Sequence, residues 1–242
     1  MVVPFYITLF LYVIIAIILL SVYYGLNYAY DKTGKTKKDR IGSLLIAGAL
    51  LGGWMAITGW LAAKGHFLNF ESLPPRILAT LIPAALAISY ITVSDRVKVL
   101  LNVIPRSWFI NIQSFRVLME IFLWLMYRNG LLPVQMTFEG RNFDLLIGLS
   151  APVMANFCFV KKTWPKLTAL LWNFAGLLLV TNVLIVAILS MPGPMRKFMN
   201  EPANTAVVYF PFIWIPALIV PFAYLMHILS IKQILSPDEN KA

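Results

Sequence analysis

Gln113, Arg116 and Glu120 fall at i, i+3 and i+7 of an otherwise apolar stretch. A helix places all three on one face. Their surroundings, 107–127, are Leu, Ile, Phe, Met and Trp for most of their length. Burying an Arg or a Glu near the middle of a membrane span costs about 2.5–3.5 kcal/mol on insertion scales, so such residues face the bundle interior. The i, i+4 spacing of Arg116 and Glu120 lets the two charges pair, which offsets part of that cost. Two chemistries fit: a polar floor on which a small polar or charged solute binds, or an ion pair that fixes helix register and binds nothing.

The loop that follows adds Glu139 and Arg141, which are expected at the rim of the same pocket, opening outward. Asn142 and Asp144 have a simpler reading, a helix cap and an anion in the first turn, where the helix dipole favours it. Farther along, Pro211, Pro216 and Pro221 recur every five residues around Trp214. An interior proline lacks the backbone donor and clashes one turn back, so Pro216 and Pro221 should free the carbonyls of Phe212 and Ala217. Polar backbone at membrane depth needs cover from protein or a wet cavity. Pro216 and Pro221 therefore read as a hinge, and Trp214 as part of one pocket wall, or the whole segment as a static bend.

The elements that must position these residues are legible from composition. Of 242 residues, 60% are hydrophobic and 12% charged, with a mean hydropathy of +0.79. Soluble domains carry about 25% charged residues, so a soluble enzyme and a disordered chain are both excluded. Cys158 is alone, which excludes a disulfide scaffold. An all-α, polytopic membrane bundle is expected. A bilayer core of about 30 Å needs roughly 20 apolar residues per helix. Seven stretches qualify: 4–30, 41–63, 77–94, 107–127, 142–160, 167–191 and 206–229. Residues 1–235 form a single transmembrane domain in this reading, and 236–242 a short polar tail. The first stretch has no basic residue ahead of it and is taken as a retained helix rather than a signal peptide.

Cations set the orientation. Thirteen Lys and Arg fall in the loops after spans one, three and five and in the tail; six fall in the loops after spans two, four and six. Arg116 completes the twenty. The N-terminus is therefore expected outside and the C-terminus in the cytoplasm, in an inner or plasma membrane. The net charge of +10 is spread over four cytoplasmic segments. That suits anionic lipid headgroups on that face rather than nucleic acid.

Helices in lipid associate through small residues and interhelical hydrogen bonds. Gly48, Gly52 and Ala56 recur every four residues and read as a seam against a neighbouring helix of this chain, with a homo-oligomer or another membrane partner as the other use. Asn173, Thr181 and Asn182 read as interhelical glue, and Gly176 as a point of close approach. His66 and His227 lie on opposite sides of the membrane, His227 as an interfacial side chain, so no metal or haem site and no cofactor is expected. Retinal chemistry is set aside because no span interior holds a lysine. No Gly-x-Ser-x-Gly, His-Glu-x-x-His or P-loop occurs, so catalysis is expected less than binding; a lipid-modifying enzyme would require Glu139 to face the interface. The functional expectation is binding or transport of a small solute through an intrahelical pocket. The alternative is a membrane-embedded sensor or assembly subunit whose ion pair is structural.

Overall fold

The structure, a computed structural model, describes residues 3–236. The expected tail lies outside the described residues apart from Ser236. Every regular element among the described residues is helical. In chain order they are α1 (Phe5–Lys32), α2 (Lys37–Ala63), α3 (Leu81–Val93, entered through a 3₁₀ turn, Arg76–Thr80), α4 (Asp95–Val103), α5 (Arg106–Asn111), α6 (Phe115–Arg128), α7 (Asp144–Ala155), α8 (Lys166–Leu189) and α9 (Val220–Leu235). α5 and α6 run on through a short 3₁₀ link, Ile112–Ser114.

Among the described residues six stretches are long and apolar enough to cross a membrane: Phe5–Lys32, Lys37–Ala63, Arg76–Val93, Arg106–Arg128, Lys166–Leu189 and Ile215–Leu235. Five of them match expected spans to within four residues at either end, and the sixth, Ile215–Leu235, overlaps the expected 206–229 but starts nine residues later. The remaining one, 142–160, is a shorter apolar helix, Asp144–Val160. Pro152 lies inside it, and its last turn widens to a π turn, Asn156–Val160. A missing donor and a wide turn both spoil the regular i to i−4 ladder.

α1 turns one stripe inward, Ile7, Leu11, Ile14, Ile15 and Ile18. This stripe belongs to the same core cluster as Met119, Phe122, Leu123 and Met126 of α6. α2 begins with a threonine N-cap: the Thr36 hydroxyl oxygen accepts from the Asp39 amide and donates to the Asp39 carboxylate. From there α2 lies at the edge of the bundle. Its Trp54 indole donates to the Ala217 carbonyl at 2.8 Å, and Trp214 donates back to the Met55 carbonyl at 3.0 Å. The carbonyl that Pro221 was expected to free is thus the one that Trp54 covers. The Phe212 carbonyl, freed by Pro216, takes the Ile215 amide at 3.0 Å. Pro216 sits in a π turn, Ile215–Ile219, that leads into α9. Protein donors cover both proline-freed carbonyls.

The small-residue seam is corrected by this arrangement. A Cβ built on Gly48 or Gly52 meets nothing within 4 Å, and Ala56 is exposed, so within the chain these residues pack against no helix. The close approach is made by Gly59, where an added Cβ would come 3.2 Å from the Phe210 ring. Periodicity tells which residues share a face; the indole hydrogen bonds of Trp54 and Trp214 decide which face turns inward.

Candidate functional site

α6 carries Arg116 and Glu120 inward, both buried, with Gln113 one turn before. Gln113 donates to the Ala223 carbonyl of α9 at 3.1 Å. The carboxylate that Arg116 engages is not Glu120. Its Nε donates to Asp144 Oδ2 of α7 at 3.0 Å. Its Nη2 lies 2.5 Å from the same oxygen, an ion-pair contact off the hydrogen-bonding direction. α7 can come this close because of Gly148, where an added Cβ would sit 2.8 Å from the Val117 backbone nitrogen. The expected pairing within one helix is replaced by a pairing between helices. Asp144 reaches the guanidinium because the chain enters α7 alongside α6.

The third arm of Arg116 goes to α9, with Nη1 3.0 Å from His227 Nε2. A guanidinium only donates, so Nε2 is the acceptor and the imidazole is neutral. Its proton then sits on Nδ1, which donates to Asn173 Oδ1 of α8 at 2.9 Å. Asn173 in turn donates to Ser230 Oγ and to the Ala169 carbonyl. His227 is fully buried, not interfacial as its position near the span end implies. The room for its ring comes from Gly176, whose added Cβ would overlap the imidazole.

Glu120 is held from the other side. Asn142 Nδ2 donates to Glu120 Oε1 at 2.6 Å, while Asn142 Oδ1 accepts from the Asp144 amide at 3.0 Å. Phe143, not Asn142, holds the N-cap position of α7; Asn142 takes the first helical amide from one residue outside the helix, and the same side chain also ties a carboxylate. Glu120 Oε2 and Asp144 Oδ1 are both buried and have no hydrogen-bond partner. With the imidazole neutral and both acids ionised, Arg116 faces two carboxylates, a formal charge of −1 in a site where Arg116 and Glu120 are 2% and 1% exposed.

One end of the cluster is closed by the loop between α6 and α7. Leu131, Leu132 and Met136 are buried in it. Gln135 donates to Ser190 Oγ at 2.9 Å, fastening it to the end of α8. Gly140 lies so close to the Val134 and Gln135 backbone that no Cβ fits. The 190–205 segment beside it is clipped by Arg196 and Glu201 at 2.8 Å. Donation from Arg196, with the Ala203 amide adding to it, holds the Glu201 carboxyl below the usual carboxylate range.

Of the residues expected around one pocket, Gln113, Arg116 and Glu120 come together. Glu139, Arg141 and Trp214 do not join them. Glu139 is exposed and accepts from the Trp124 indole at 2.7 Å. Arg141 lies outside as well, its guanidinium 5.0 Å from the Phe198 ring centre. Trp214 is occupied in holding α2. The reason is local: the stretch 141–144 alternates, turning Asn142 and Asp144 inward and leaving Arg141 and Phe143 exposed. Asp144, Asn142, His227 and Asn173 take the vacated places. A faint signal for them exists, since Asn173 and Gly176 on one helix and His227 and Ser230 on another each share a face at i, i+3. Among the described residues no group of three or more His, Cys, Asp or Glu is placed to hold a metal ion.

Every member of this cluster falls within residues 74–235, the stretch that matches a family described as a domain of unknown function, DUF8737. The chain belongs to that family. α1 and α2 precede the DUF8737 match. No curated protein and no solved structure matches the chain.

Proposed function

We propose that this DUF8737 protein is a seven-span membrane protein that binds, and passes across the bilayer, a small charged solute at the Arg116 cluster. The N-terminus lies outside and the C-terminus inside in this reading, with the helix Asp144–Val160 as the fifth span and an inner or plasma membrane as its place. One observation carries the reading: the buried carboxylates of the cluster are not fully hydrogen-bonded. A network that only fixed helix register would be expected to satisfy its buried carboxylates; here two carboxylate oxygens lack donors. One small cation, the proton included, neutralises the site. The enclosed geometry corresponds to an occluded state, and the Gln135 loop and the Pro216–Pro221 segment are the parts that would have to move for access.

A second reading is favoured by α2: a sensor or assembly subunit whose cluster is structural and whose exposed Gly48–Gly52–Ala56 face meets another protein. Water access separates the two. In a Cys158→Ser background, Ser230→Cys places a thiol within the cluster. Under the solute reading a small cationic methanethiosulfonate labels it in the folded, membrane-embedded protein, and added solute slows the labelling. If the thiol reacts only after unfolding, the site is sealed and the structural reading replaces it.

A further inference from the structure

The polar cluster leaves one cation on the outer end of α7 and α8 unexplained. Arg141 lines a surface groove of about 500 Å³ with Phe143, Asn182, Ile185, Leu189 and Phe198. The two carboxylates near it in sequence are engaged elsewhere, Glu139 by Trp124 and Asp144 by Arg116, and Glu201, three residues past the Phe198 of the groove, is taken by Arg196. Arg141 itself rests on the Phe198 ring, and its backbone carbonyl accepts from Asn182 at 2.7 Å. The groove thus presents one full positive charge and no anion among its lining residues, above walls that are mostly apolar.

Below it the apolar surface continues. Ile185 and Leu178 are exposed seven residues apart, on one face of α8, and Phe143 and Leu146 are exposed at i, i+3 at the start of α7. Phe198 is fastened to this end, since the Lys197 and Phe198 amides both donate to the Leu189 carbonyl. Lys197 is exposed beside it and adds a second cation at the same end of α8. An occupant that satisfies both parts carries an anion at one end and a hydrocarbon chain at the other.

We propose that this groove is a binding site for one anionic phospholipid, its phosphate on the Arg141 guanidinium and an acyl chain along the Phe143–Ile185–Leu178 surface. The site does not depend on the solute reading. It differs from general attraction of anionic lipid to the basic loop around Lys37 and Lys38, which lies at the other end of the helices.

The test uses the full chain in detergent micelles, with phosphatidylglycerol and phosphatidylcholine as probes and native mass spectrometry as the readout. The wild type should retain one phosphatidylglycerol in preference to phosphatidylcholine. Arg141→Gln should weaken that retention by at least about fivefold, the effect of one basic side chain at a lipid surface. Arg141→Lys should keep most of it, and Lys37→Gln should leave it unchanged. Equal retention by wild type and Arg141→Gln would overturn the proposal. So would full competition by millimolar inorganic phosphate, which would make the ligand a free anion. If Arg141→Gln fails to fold, Ile185→Glu in the acyl track tests the same site and should lose the lipid.

Discussion

α2 and the continuous α5–α6 stretch are both long and apolar, and they are held in different ways. Only 6% of the most apolar window of α2 is buried, against 56% for the Arg106–Arg128 stretch that contains α6. α6 sits between α1, α7 and α9 and is tied to α7 and α9 by charged and polar side chains. α2 leans on α1 and on the segment before α9; its polar anchors are two indole–carbonyl bonds and, at its start, a partly exposed ion pair between Arg40 and Asp31 of α1. Apolar surface gives no preference for protein over lipid tails, so burial in a membrane is decided by packing and polar contacts. The comparison shows where this chain has placed them: densely on α6 to α9 and sparsely on α2.

The largest expected effect follows from breaking the dense side. Asp144→Ala leaves Arg116 buried without its carboxylate and should cost about 3–5 kcal/mol, read as loss of cooperative melting in detergent. Next comes Gly176→Ala, which drives a methyl group into the His227 ring and should cost about 1–3 kcal/mol. The double variant with His227→Ala should recover part of that loss, because the overlap is gone. If the double variant is no better than Gly176→Ala alone, the close contact between α8 and His227 is not what limits stability.

The sparse side should respond less. Trp54→Phe removes the donor to the Ala217 carbonyl and should cost about 1 kcal/mol, the scale of an interhelical hydrogen bond in a membrane. Gly52→Leu on the outward face should not destabilise the protein, because nothing meets a Cβ added there and Leu favours a helix over Gly. A large drop at Gly52 together with a change in apparent mass would show that α2 is covered by a partner, and the contrast between the two regions would then belong to the isolated chain only.

Much of the fold was legible in the sequence because hydropathy and length are sufficient for spans. Gln113, Arg116 and Glu120 were found by one helical face, and that face does turn inward. The pairing was not legible. The i, i+4 rule offers Arg116 a partner within its own helix, whereas the guanidinium reaches Asp144 across an interface that Gly148 makes narrow. His227 was misplaced for a related reason: depth along a span can be counted, but which side of the helix meets Gly176 cannot. Asp144 and Asn142 were hidden by a sufficient local explanation, since a helix start accounts for both residue types; Asp144 does lie in the first turn, but Phe143 takes the N-cap position. Trp54 covering the Ala217 carbonyl was half legible: the freed carbonyl could be named from Pro221, its donor could not.

The central claim is that Glu120 is an excess charge kept for binding rather than a partner in a finished network. Glu120→Gln keeps an Oε1 acceptor for Asn142 and removes the buried charge. The account predicts that this variant, purified beside the wild type, melts at or above the wild-type temperature while losing any solute-dependent response. A melting temperature several degrees lower, where about 2–4 °C corresponds to about 1 kcal/mol in a chain of this size, would show that the carboxylate is already satisfied and would contradict the account.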